Sequence, residues 1–138
     1  MAKRTETAQS DHDAAVRALA ELYKQKHKEK NVWINPDGEK NKSWAGRYID
    51  VIVADKVDKD SAWLIEIETA DSVNDTEAES QWKYYDSVYT KDWNLSIPVE
   101  CLKDAVALVQ KYKLENCFIL PWRKYSDGTY RFYGLPGL

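Results

Sequence analysis

At 138 residues with ordinary apolar content, the chain is most simply one domain with a core of its own. A formal charge of −3 gives no whole-chain basic signal for nucleic acid, and there is no acidic tail. No apolar run approaches the ~20 residues that cross a bilayer, and the polar start lacks the apolar segment of a secretory leader, so a cytoplasmic location is expected.

Residues 1–9 are polar and are expected to form a disordered tail, leaving 10–138 as the folded domain. Ser10 or Asp11 can cap a helix running to about Lys28, with Ala15, Leu19, Leu22 and Tyr23 on its buried stripe. The charged run Lys24 to Lys30, with His27 inside it, reads as a solvated face. Val32-Trp33-Ile34 is a short strand, and Asn35-Pro36-Asp37-Gly38 is a turn. A polar loop with Lys40, Lys42 and Trp44 follows, and Gly46 opens a strand through Asp50 to Ala54. The polar stretch Asp55 to Asp60 joins it to a second β-branched run, Trp63 to Thr69.

Thr76-x-x-Glu79 has the form of a capping box for a helix ending near Thr90. Trp93 to Ile97 is a strand. Pro98 suits the start of a helix carrying Val99, Leu102, Ala105, Val106 and Val109 on one stripe. Cys117 to Leu120 is a strand broken or edged by Pro121, and Ser126-Asp127-Gly128 turns the chain into a last strand, Thr129 to Tyr133. The order is α-β-β-β-α-β-α-β-β, a mixed α/β domain. Cys101 and Cys117 are too few for a zinc site and, with His12 and His27 distant in sequence, read as thiols in a reducing compartment.

The informative stretch is Glu66-Ile67-Glu68, which follows Asp50 across a hairpin. Alternate residues of a strand share a face, so Glu66 and Glu68 point the same way. If that face meets the one bearing Asp50, three carboxylates converge beside an apolar sheet, an arrangement that usually holds a hard divalent cation. The competing assignment has Glu68 ending its strand in solvent. Asp50 and Glu66, flanked by Ile49, Val51, Ile65 and Ile67, still need a metal or a basic partner such as Arg47.

These residues and their order resemble the PD-(D/E)xK nuclease superfamily over roughly Asp11 to Ile97. Asp50 stands at the first acidic position and Glu66-Ile67-Glu68 at the (D/E)-x-K position. Gln81-Trp82-Lys83-Tyr84-Tyr85 has the Q-x-x-x-Y spacing of the RecB-like branch, and Gly46-x-x-x-Asp50 fits that branch too. The resemblance implies a restriction-endonuclease-like core, a central mixed sheet flanked by helices. It implies a Mg²⁺- or Mn²⁺-dependent endonuclease acting on DNA, with RNA left open, and a homodimer. Asp50, Glu66 and Glu68 would be metal ligands, and Gln81 would orient water or phosphate.

The family's lysine is replaced by Glu68. Glu68 then serves as a third ligand or base, a lysine comes from elsewhere, or the chain is a catalytically degenerate binding or assembly module. Lys83 is the obvious donor, but at ~100° per residue it faces away from the arc of Ala78, Trp82, Tyr85 and Tyr89. Lys40, Lys42, Arg47 and Lys83, with Arg123, Lys124 and Arg131, are candidate phosphate contacts, and Trp44 and Trp122 candidate stacking groups. Glu21, Glu77 and Tyr85 are further candidates near the site. Glu21 has a resolvase-like precedent on the first helix, and Tyr85 would place a hydroxyl close by.

Overall fold

The structure, a computed structural model, describes residues 4–90 and 92–138. The expected disordered tail therefore lies partly outside the described residues. The rest of it does not behave as expected: helix α1 spans Glu6–Lys26, because Thr5 rather than Ser10 or Asp11 caps it, its side chain accepting from Ala8 N. His12 lies on the buried stripe with Ala15, Val16, Leu19, Ala20 and Tyr23.

Six strands form one mixed sheet whose spatial order equals the chain order: β1 Asn31–Ile34, β2 Val51–Ala54, β3 Ala62–Ile67, β4 Trp93–Pro98, β5 Cys117–Lys124 and β6 Tyr130–Phe132. The first three make an antiparallel meander, β4 and β5 add in parallel, and β6 closes an antiparallel edge. Parallel neighbours need crossovers, and helices supply both. Between β3 and β4 run α2 (Asp75–Glu77), a π-helical turn (Ala78–Trp82) and α3 (Lys83–Val88); between β4 and β5 runs α4 (Leu102–Lys111).

The strict alternation of strand side chains splits the core in two. Val51, Val53, Ile65 and Ile67 pack on Ala15, Leu19 and Tyr23 of α1. Ile52, Leu64, Leu95 and Ile97 pack on Trp82, Tyr85, Tyr89 and Ala105 from the crossover helices. Both faces of the central strands are thus covered, as their near-continuous apolar runs require.

Four local expectations are corrected. The capping residue of α2 is Asn74, whose side chain accepts from Glu77 N at 2.9 Å; Thr76 lies inside the helix, and α3 stops at Val88 rather than near Thr90. Gly46 does not open a strand. It sits with Ala45 in a tight turn, both at positive φ (79° and 50°), closed by Trp44 N to Arg47 O at 2.7 Å. Asp50 consequently stands just before β2. Pro121 does not break β5, which continues to Lys124. Its carbonyl accepts from Tyr133 N at 3.1 Å, so its ring nitrogen faces the same side, beyond the last residue of β6, and no ladder bond is lost.

No described helix is long and apolar enough to cross a membrane. Ile65, fully buried on the central strand β3, tests the packing. We expect Ile65→Ala to cost about 2–5 kcal/mol in urea unfolding. Val57→Ser, at a position 92% exposed, should stay within about 0.5 kcal/mol. A loss below about 1 kcal/mol for Ile65→Ala would contradict the two-sided core.

Candidate active site

The antiparallel register of β2 and β3 pairs Val51 with Ile65, so the next pair outward is Asp50 and Glu66. Both are nearly buried at the base of a cavity of about 260 Å³. Each carboxylate has one oxygen pinned by backbone. Asp50 Oδ2 accepts from Ile67 N at 2.8 Å, and Glu66 Oε1 accepts from Asp50 N at 3.1 Å. Asp50 and Glu66 line the cavity side by side, close enough for their carboxyls to share a hydrogen bond, and the Tyr85 hydroxyl stands within hydrogen-bonding reach of Glu66.

The partner that Asp50 needs is His12, not Arg47. From α1, His12 Nε2 donates to Asp50 Oδ2 at 2.9 Å, and its Nδ1 lies 2.9 Å from Asp13 Oδ1. Burial alone would lower the imidazole pKa. The charge and hydrogen bond of Asp50 outweigh it, Arg4 opposes and Asp13 assists, and the result is held at about 9. For Asp50 the opposition runs the other way. Burial raises its pKa, but His12, followed by the hydrogen bonds it accepts, brings it below the usual carboxylate value. Asp50 is therefore an anion held by a cation. Burial, then the charges of Asp50 and Glu68, push Glu66 well above its ordinary pKa.

Glu68 follows β3 and is fully buried, not exposed at a strand end. Its backbone N–H continues the parallel ladder to Ser96 O at 2.9 Å. Its side chain does not join Asp50 and Glu66 as a third open ligand. Oε2 accepts from the Ser72 hydroxyl and lies 3.5 Å from Arg4 Nη2; Oε1 has no partner. The short turn from Thr69 to Ser72 makes this geometry, with Thr69 N donating to Ser72 Oγ at 3.1 Å. Burial and then the nearby Glu77 push Glu68 to about 8 against the pull of Arg4. Glu77, also buried with an unpartnered Oε1, is pushed to about 7 by burial, with Arg4 opposing.

Arg4 is the group that sequence reasoning missed, because it falls in the stretch assigned to the tail. Its side chain is only 3% exposed, and it donates from Nε to Thr69 Oγ1 at 3.0 Å and from Nη2 to Ile67 O at 3.3 Å. Thr5 followed by acidic Glu6 was the available signal: a helix capped at Thr5 brings Arg4 to the sheet end. His12 lay inside the expected helix, three residues before Ala15 on its buried stripe, and that spacing was the available signal.

Among the other expected residues, Gln81, Tyr85, Lys40 and Arg47 line the cavity. Lys83 is exposed and does not line it, as its helical angle requires. Lys42 lies over Trp33 at 4.6 Å, away from the lining. Glu21 is exposed and paired with Lys24 at 3.6 Å, outside the site. Trp122 is buried and donates Nε1 to Glu68 O at 3.1 Å, so it supports the site from behind rather than stacking on a ligand. Trp44 packs partly buried against the core. Lys124 is held by Asp11 at 3.2 Å, on the β5–β6 side with Arg123 and Arg131.

Among the described residues no group of three or more His, Cys, Asp or Glu converges on one metal position. Asp50 and Glu66 alone fit a hard cation of the Mg²⁺ kind. Such an ion is commonly held by one or two carboxylates, with waters and substrate phosphates completing the shell. Comparison with models of known protein families finds no match, and comparison with curated protein sequences finds none.

The buried charges give metal-free stability a definite pH dependence. His12 is raised from 6.5 to about 9, so its contribution is complete below pH 6.5 and is lost as pH rises through 9. Glu68 and Glu77 are raised from 4.5 to about 8 and about 7, so folding also favours their protonated forms, and stability falls as pH climbs from 4.5 through 8. All three slopes have the same sign. We expect Tm in EDTA to fall between pH 5 and pH 9, with Glu68→Gln shallower and more stable than the native chain at the alkaline end. A flat native profile, or an unchanged slope in Glu68→Gln, would refute this assignment of charges.

Proposed function

We propose that the chain is a PD-(D/E)xK-like phosphodiesterase that hydrolyses DNA with Mg²⁺ or Mn²⁺. The observation that carries this reading is the pairing of Asp50 and Glu66 across the β2–β3 register, each with one oxygen fixed by a backbone N–H and both in the lining of one cavity. Two features support it. The helix, antiparallel meander, helix and parallel strand follow the order of that superfamily's core. Gln81 and Tyr85, one helical turn apart, line the same cavity.

In this reading Asp50 and Glu66 hold the metal, and the metal supplies Lewis acidity together with a water of lowered pKa. The remaining work falls to the protein. His12 is a positioning residue that keeps Asp50 ionised and its carboxylate fixed in the cavity lining. Gln81 donates its amide to the attacking water or a phosphate oxygen. Lys40 and Arg47 line the cavity and offset phosphate charge. Arg4 and Ser72 hold Glu68 aside, so its carboxyl stands behind the site rather than serving as a ligand.

A specific observation favours the second reading, a catalytically degenerate binding or assembly module. No lysine projects from β3, and the residue in its place is engaged by Ser72 and Arg4. The test combines metal titration with DNA cleavage. Under the hydrolytic reading, Mn²⁺ binding is measurable by calorimetry, Asp50→Asn abolishes it, and nicking of supercoiled plasmid drops by at least about a hundredfold. Glu68→Lys alone sets an ammonium against Arg4 and should lower Tm. Paired with Arg4→Gln it becomes informative, since a gain of cleavage over the native chain would mark the native chain as degenerate. Absence of metal binding, together with no cleavage of supercoiled, branched or single-stranded DNA, would sink the hydrolytic reading.

A further inference from the structure

We infer that Tyr48 and Tyr84 form a stacking platform for unpaired bases at the mouth of the carboxylate cavity, so that its substrate is single-stranded DNA or the unpaired part of a branched one. The inference rests on the hydrolytic reading for the chemistry at the base of the cavity, and concerns what that cavity admits.

Apolar and aromatic side chains of this chain are mostly covered, yet Tyr48 is 42% and Tyr84 44% exposed. They come from separate elements, the segment before β2 and α3, and reach one place. Tyr48 lines the cavity that holds Asp50 and Glu66; Tyr84 lines an adjoining hollow, and the two share Arg47, Gln81 and Tyr85. Neither hydroxyl takes part in the hydrogen bonds among the described residues. Each ring thus presents a part-exposed face that no hydrogen bond of its hydroxyl ties down.

Each ring carries a cation. Arg47 Cζ lies 3.6 Å from the centroid of Tyr84, and Lys40 Nζ 5.7 Å from that of Tyr48. A guanidinium stacked on one face of Tyr84 leaves the other face for a base while its N–H groups reach a phosphate. The turn at Ala45 and Gly46 sets that pose, since it aims Arg47 back toward α3. A ring face is useful only to a base out of its own stack, and stacking on aromatics is the sequence-tolerant way proteins hold single strands.

Depth points the same way. Asp50 and Glu66 are 7% and 6% exposed, below the rim, where a flexible single strand can bring a phosphodiester and a regular duplex cannot without distortion. Long-range charge is weak, because Asp37 and Glu39 share the rim with Lys40 and Arg47 and the chain is net −3. Stacking must then supply much of the affinity.

The test is fluorescence anisotropy in EDTA, with labelled oligothymidylate about 15 nucleotides long against a duplex of equal length. We expect the single strand to bind at least about tenfold tighter than the duplex. Tyr48→Ala and Tyr84→Ala should each weaken single-strand binding about 5- to 100-fold, while Tyr84→Phe keeps it. Equal or tighter duplex binding, or unchanged binding by both alanine variants with native Tm, would overturn the inference. Because no metal is present, single-strand binding that depends on the tyrosines supports it even if Mn²⁺ elicits no cleavage, an outcome that would remove only the hydrolytic reading. Cleavage of intact duplex without single-strand preference would do the reverse.

Discussion

The carboxylate of Asp50 is the constraint on which the rest of the site depends. A single oxygen, Oδ2, accepts from the imidazole of α1 and from the backbone of β3, and the residue's own N–H donates to Glu66. Three elements are tied at one point: the helix on one face of the sheet, the edge of β2 and the end of β3. An anion so placed would be costly if unpaired. Its charge is matched by an imidazolium whose other nitrogen meets Asp13, and Asp13 in turn accepts from Asp37 N at 3.1 Å at the cavity rim. The relay runs from the rim through α1 to the base of the cavity.

Around this clamp the chain gathers more acid than base. Asp50, Glu66, Glu68 and Glu77 are all buried, against Arg4 and His12. Packing can hold such a set without metal only by keeping some carboxyls protonated, which is why Glu66, Glu68 and Glu77 are all raised while Asp50 is lowered. A hard cation between Asp50 and Glu66 would relieve the strain by releasing protons on binding. Glu68 and Glu77 each keep a buried oxygen without a partner, and Glu68 meets Arg4 through its other oxygen. The site is thus graded, from an ionised Asp50 to protonated acids behind it.

Much of this was legible in the sequence. Alternation and β-branched runs located every strand, and the facing of Asp50 and Glu66 followed from a hairpin of the expected length. The helical angle of Lys83 was enough to place it in solvent. Other parts were not legible, for physical reasons. Arg4 depends on where α1 begins, and one threonine side chain decides that; His12 shared the buried stripe of α1, but its partner Asp50 is 38 residues away in sequence. The parity of Glu68 was read correctly, yet parity fixes only the direction of its Cβ; the path of the carboxyl is set by Ser72 and by a guanidinium more than sixty residues away in sequence. Trp122 was read as a loop aromatic because Pro121 looked like a strand end. A proline whose nitrogen faces past the end of the neighbouring strand interrupts nothing, so the tryptophan continues into the core.

The Glu68 position changes meaning once Arg4 is placed. A lysine on β3 would put a single positive charge in the site. The chain instead has a buried glutamate and a guanidinium from the segment leading into α1, a pair with no net charge when both are ionised. The two positions are coupled: a lysine at the end of β3 would be fully buried against Arg4, and Arg4 without Glu68 would face Ile67 O and Thr69 Oγ1 with no anion to meet. Exchange of one residue alone is therefore unfavourable on electrostatic grounds, and the departure at Glu68 belongs to a two-residue arrangement rather than to a single lost group. Under the hydrolytic reading, it also moves the burden of meeting a bound phosphate outward, from the strand to Lys40 and Arg47 at the rim, each already lying over an exposed tyrosine.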